Sequence, residues 1–130
     1  MNNRIFIVAH APLAQALKAC AMHVYPECAA EVLALDVKAD DTPEQSLLAA
    51  QQLWLGVPEG DVLVLTDVLG ATPANVAQQW ARDHKAKIIA GVNLPMLLRS
   101  VCYRHEPIEG LVQRAMTGGA LGVVEISPPV

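Results

Sequence analysis

Apolar residues fall in two alternating rhythms along the chain. Short β-branched runs alternate with longer stretches of helical period. Arg4–Ala9 (RIFIVA) predicts a strand and Pro12–Val24 a helix with the stripe Leu13, Leu17, Cys20, Val24. Glu31–Val37 (EVLALDV) predicts a second strand. Thr42-Pro43-Glu44-Gln45 then combines an N-cap residue, a first-turn proline and the far half of a capping box. It opens a helix carrying Leu47, Leu48, Ala50, Trp54 and Leu55, which Gly56 ends.

Asp61–Asp67 (DVLVLTD) is apolar on both faces at its centre, as a parallel strand covered by helices on each side requires. Thr72-Pro73 predicts the next helix start, with Val76, Ala77 and Trp80 on its apolar side. Lys87–Val92 predicts a fourth strand and Pro95–Tyr103 a fourth helix. Pro107–Thr117 predicts a fifth helix stopped by Gly118-Gly119, and Leu121–Ile126 a last strand. This alternation implies an α/β fold of three layers around a mainly parallel sheet, spanning residues 1–130 as a single domain.

Composition narrows the class. With 53% hydrophobic and 17% charged residues among 130, a packed core is expected rather than disorder. The net charge of −4 and the lack of any Lys/Arg cluster speak against a nucleic-acid partner. The apolar run Ile5–Ala9 is too short for a signal peptide or a membrane span, so a cytoplasmic location without membrane insertion is expected. Cys20, Cys28 and Cys102 are an odd number, which disfavours structural disulfides. Cys20, His23 and Cys28 lack the fourth ligand and the knuckle spacing of a zinc site, so no metal is expected and Cys20 reads as a buried thiol.

Ligands of open α/β sheets bind beyond the carboxyl ends of strands, where the strand order reverses. His10 follows the first strand, Lys38, Asp40 and Asp41 the second, Asp67 ends the third, and Asn93 follows the fourth. If the order is 2-1-3-4, His10 and Asp67 face each other. A carboxylate on one imidazole nitrogen fixes the tautomer and leaves the other nitrogen's lone pair for nucleophilic or base work. Helices beginning after His10 and at Thr72 would add N–H groups for an anion. The other reading of His10, a polar residue with a satisfied hydrogen bond, stays open on pattern alone. There is no P-loop, dinucleotide fingerprint or nucleophile elbow.

Three segments also carry a resemblance to a known family. They are the strand ending in His10, Leu65-Thr66-Asp67-Val68-Leu69-Gly70-Ala71-Thr72-Pro73-Ala74-Asn75, and Ile89-Ala90-Gly91-Val92-Asn93-Leu94-Pro95-Met96-Leu97. The chain resembles the enzyme IIA domain of the mannose family of the phosphoenolpyruvate-dependent sugar phosphotransferase system. That resemblance implies a phosphohistidine carrier. His10 would accept a phosphoryl group from HPr and pass it to a histidine of a IIB-type partner, with Asp67 orienting the imidazole. Ala11 and Thr72 would lie at the phosphate, and Leu69, Gly70 and Ala71 would meet partners; the family more often has an aromatic at Leu69 and Gly-Gly-Ser-Pro where this chain reads Gly70-Ala71-Thr72-Pro73. No metal or organic cofactor is implied. Leu121–Ile126 matches a fifth, antiparallel strand exchanged between two subunits, so the resemblance implies a homodimer, with Gly118-Gly119 as the hinge. The role could be in sugar uptake or in a regulatory phosphorelay. Two alternatives remain at this point: a phosphoryl-donor subunit for a dihydroxyacetone kinase, and a non-catalytic receiver-like or ligand-binding module. A receiver would want an acidic cluster where His10 stands.

Overall fold

A computed structural model describes residues 2–130. Four strands form one parallel sheet, β1 (Arg4–His10), β2 (Leu33–Val37), β3 (Val62–Thr66) and β4 (Ala86–Ala90), in the order β2-β1-β3-β4. The helices are α1 (Leu13–Val24), α2 (Pro43–Leu53), α3 (Thr72–Ala81), α4 (Leu94–Cys102) and α5 (Ile108–Leu121). The expected three layers and strand order are those observed.

The period of two in the strands sorts the core into two halves. Ile5, Ile7 and Ala9 of β1, with Leu63 and Leu65 of β3, pack against α1, α4 and α5 through Ala14, Leu17, Leu97, Val101 and Leu111. Phe6, Val8, Val62 and Val64 face the other way, against Ala50 of α2 and Val76, Ala77 and Trp80 of α3. Phe6 meets Trp80 and Trp54 edge-on at centroid distances of 5.0 and 5.4 Å. The start of α2 is the expected capping box: the Gln45 N–H donates to Thr42 Oγ1 at 3.1 Å and the Thr42 N–H to Gln45 Oε1 at 2.7 Å. Such caps contribute about 1 kcal/mol.

The last strand is not there. Residues 123–130 carry no regular structure, and Leu121 is the final residue of α5. A strand needs an edge to pair with, and within this chain the segment reaches none. Nor do Gly118 and Gly119 stop the helix or serve as a hinge; both are buried inside α5. Their missing Cβ atoms let α5 lie close on α4. A Cβ at Gly118 would sit 2.8 Å from Arg99 Cβ, and one at Gly119 2.7 Å from Met96 Cε.

Smaller differences have local causes. Ala29–Glu31 form a 3₁₀ turn, so β2 begins at Leu33 rather than Glu31. β4 ends at Ala90 because Gly91 turns with φ +90° and donates its N–H to the Thr66 carbonyl. Cys20 is exposed, not buried. The inward stripe of α1 is Ala14, Leu17, Ala21, one residue round the helix from the expected one. On α2, Leu48 points outward while Ser46 and Ala50 are buried; the helix ends at Leu53, short of Gly56, and Leu55 is exposed in the turn that follows.

Candidate active site

β1 and β3 are neighbours in parallel register, with Val8 opposite Thr66. Two residues past Val8, the chain reaches His10; one past Thr66, it reaches Asp67. Both therefore stand at the carboxyl edge of the sheet, where the order turns from β1 outward to β2 on one side and β3 on the other. His10 Nδ1 lies 2.7 Å from Asp67 Oδ2. The same oxygen accepts the His10 backbone N–H at 3.0 Å, and Oδ1 accepts the Val68 N–H at 3.0 Å.

Asp67 is thus tied down on both oxygens, with its side chain 10% exposed, while the His10 side chain is 54% exposed. Burial pushes the Asp67 carboxyl up. The hydrogen bonds from the His10 ring and backbone, the His10 charge and the Val68 N–H outweigh it and hold the group below its ordinary value. Asp67 is therefore an ionised acceptor at neutral pH. With a carboxylate opposite, Nδ1 carries the proton and Nε2 keeps its lone pair. Nε2 has no hydrogen-bond partner among the described residues and sits on the half-exposed ring.

The two helix starts beside this pair differ. At α1, the N-cap residue Pro12 offers no side-chain acceptor. The carboxylate of Asp36, on β2, fills that role from outside the helix. Its Oδ1 accepts the N–H groups of Ala14 at 2.9 Å and Gln15 at 3.3 Å. The Ala11 N–H, expected at the phosphate, donates to the Val37 carbonyl at 2.9 Å. At α3, the cap residue is Ala71 and not Thr72, so no side chain closes the end and the exposed Thr72 hydroxyl is not spent on capping. The loop before it turns at Gly70 with φ +83°, a conformation that favours glycine. Val68 and Leu69, which directly follow Asp67, are 54% and 81% exposed and form an apolar stretch of this loop.

The remaining strand-end residues serve the scaffold. Asn93 caps α4 through the Met96 N–H at 2.9 Å and donates its side-chain N–H to the Gly119 carbonyl at 3.0 Å. Lys38 and Asp40 are exposed in the turn before the α2 cap. Cys20, His23 and Cys28 are not gathered into a ligand set among the described residues. A concavity of about 520 Å³, lined by Trp54, Pro58, Arg82 and His84, opens at the other end of the sheet, away from the His10–Asp67 pair. Asp36 is the site residue that sequence reasoning missed. Its signal was a lone carboxylate inside an apolar strand, in register with Ala9.

The family model described as "PTS system fructose IIA component" matches residues 4–116. The chain belongs to this family, the mannose-type IIA family of the phosphotransferase system. The protein "PTS system fructose-specific EIIA component" of Bacillus subtilis is 44% identical over 48 residues, which is 36% of this chain and 33% of that protein. The match thus spans about a third of that relative's length. Two solved structures share the fold over nearly the full length of both chains. The mannose/sorbose-specific IIA subunit from Enterococcus faecalis has a TM-score of 0.90 at 22% identity, covering 100% of this chain and 98% of that one. The component EIIA from Streptococcus agalactiae has a TM-score of 0.81 at 27% identity, covering 96% and 97%. As a mannose-type IIA chain, the protein sets its histidine–aspartate pair on a fold built around one parallel sheet, and no helix among the described residues is long and apolar enough to cross a membrane.

Proposed function

We propose that this IIA component is a cytoplasmic phosphotransferase working through a phosphohistidine at His10. The observation that carries the reading is the 2.7 Å contact between His10 Nδ1 and Asp67, which leaves Nε2 as the nucleophile. In the receiving step, the Nε2 lone pair attacks the phosphorus of a phosphohistidine on an HPr-type donor. The P–N bond to the donor breaks as the P–Nε2 bond forms, and the bond electrons return to the donor imidazole. The second step is the same exchange with a histidine of a IIB-type partner. The ring gains positive character as it bonds phosphorus, and the ionised Asp67 stabilises it through Nδ1–H. Phosphoryl transfer needs positioning and charge stabilisation more than covalent machinery.

Thr72 and the N–H groups of the open α3 end would receive the phosphoryl oxygens, with the Ala11 side of the ring closing the pocket. Leu69, Gly70 and Ala71 form the rim on which the donor and acceptor dock. The family and the relatives named for fructose and for mannose or sorbose favour sugar uptake as the setting. A homodimer is part of the reading. Val123, Val124 and Ile126 are 78%, 67% and 86% exposed, and a second copy's sheet edge would cover them. Light scattering giving a clean monomer at micromolar concentration would remove the dimer.

The test is a reconstituted transfer with phosphoenolpyruvate, enzyme I and HPr. The wild-type chain should take up acid-labile, base-stable phosphate. Label that persists undiminished in His10→Ala would overturn the assignment.

A further inference from the structure

Only Ala11 and Pro12 separate β1 from α1, so the placement of α1 dictates how the backbone at His10 can sit. Nothing in the helix's own first turn fixes that placement, since Pro12 supplies no cap. The ties come from β2. Asp36 Oδ1 holds the Ala14 and Gln15 N–H groups, the Gln15 side chain donates to the Ala34 carbonyl at 3.1 Å, and the Ala11 N–H donates to the Val37 carbonyl. On the other side, the His10 N–H and Nδ1 both reach one oxygen of Asp67. The imidazole thus sits between two carboxylates, Asp36 on β2 and Asp67 just past β3, and only Asp67 touches it.

We propose that Asp36 is a positioning residue for His10: by anchoring the start of α1 to β2 it holds the His10-Ala11-Pro12 turn so that Nδ1 stays on Asp67 and Nε2 faces the incoming phosphoryl group. The inference rests on the phosphohistidine reading for its consequence in transfer, but the geometry of the ring is measurable without any transfer. A charged acceptor is well suited to this task because hydrogen bonds to it are shorter and stronger than neutral ones and complement the positive helix end.

The experiment compares the full-length wild type with Asp36→Ala and Asp36→Asn. Three quantities are read: thermal unfolding, the His10 Nδ1–H proton resonance by NMR, and phosphoryl uptake over a range of phosphorylated HPr concentrations up to saturation. Asp36→Ala should lose the Nδ1–H resonance and slow uptake on the order of 10²-fold, as small misplacements of a reacting group do, with the fall in kcat rather than in KM. Asp36→Asn keeps an oxygen that accepts both N–H groups, so it should recover the resonance and most of the rate. A folded Asp36→Ala with a wild-type resonance and rate would overturn the proposal and leave Asp36 as a cap alone. If Asp36→Ala does not fold, Asp36→Asn decides, because its neutral oxygen accepts more weakly: a Nδ1–H resonance that shifts together with the Ala14 and Gln15 amide resonances supports the proposal, and a ring resonance unmoved beside shifted amides contradicts it. A wild type that takes up no phosphate, yet whose ring resonance still depends on Asp36, would sink the carrier reading and not the positioning role.

Discussion

The starts of α1 and α3 make a natural comparison. Both helices begin within a few residues of a strand's carboxyl end, on either side of the His10–Asp67 pair, and neither cap residue supplies a side-chain hydrogen bond. Yet α1 has its first N–H groups taken by Asp36, while α3 presents an uncapped end headed by the Thr72 hydroxyl. A helix's positive end is an anion site only where the fold leaves it unfilled. One end here is tied to β2 through Asp36, beside the turn that follows His10; the other, two residues past Gly70, is left without a side-chain cap.

This contrast can be broken or sharpened by substitution. The largest effect is expected at the pair both helices flank. Asp67→Ala should stay folded and accept phosphate more slowly by on the order of 10² to 10⁴, read by rapid-quench kinetics. A wild-type rate would mean that the ring needs no orienting partner.

Next comes the open helix end. Thr72→Ala should slow uptake several-fold and shift stability by no more than about 0.5 kcal/mol, as an exposed substitution without a cap to lose. At the filled end the order reverses. Gln15→Ala removes the hydrogen bond to Ala34 and should cost about 0.5–1.5 kcal/mol in denaturant unfolding, with little change in transfer rate while Asp36 remains. If Thr72→Ala lowered stability and left the rate alone, the assignment of roles to the two ends would be inverted.

The smallest effect is in pH. Asp67 has a folded-state value below its ordinary one, so it contributes stability that is fully present above the unfolded carboxyl value. That contribution is lost as pH falls through the lower folded value. Acid unfolding of Asp67→Asn against wild type, followed by circular dichroism, should show the gap narrowing over that acidic window and constant above it.

The sequence revealed the layers and the strand order because they rest on local signals: doubly apolar strands such as Val62–Thr66, and start signals such as Thr42-Pro43. The His10–Asp67 pair was legible for a related reason. Strand-end residues converge once the order is known, and a His and an Asp together have a chemical use. What stayed hidden was non-local. Asp36 caps a helix that lies 22 residues earlier in the chain at Ala14, and no helix-start pattern contains it. Gly118 and Gly119 resemble a helix stop, but their small size matters only against Arg99 and Met96 of α4. The α1 stripe was misplaced because Ala14 and Ala21 are weakly hydrophobic by pattern, though they fit the closest approach to the sheet. The tail at 123–126 has a strand's composition but pairs with neither edge of its own sheet.

The central claim is that Asp67 occupies Nδ1 and leaves Nε2 to take the phosphoryl group. It is tested most directly by NMR of the phosphorylated wild-type protein, using ³¹P with ¹⁵N-labelled histidine. The nitrogen and phosphorus shifts distinguish the two phosphohistidine isomers. The account predicts one phosphohistidine, at His10, with phosphorus bonded to Nε2 and Nδ1 still protonated. Phosphorus on Nδ1, or an acyl phosphate on Asp67, would contradict it.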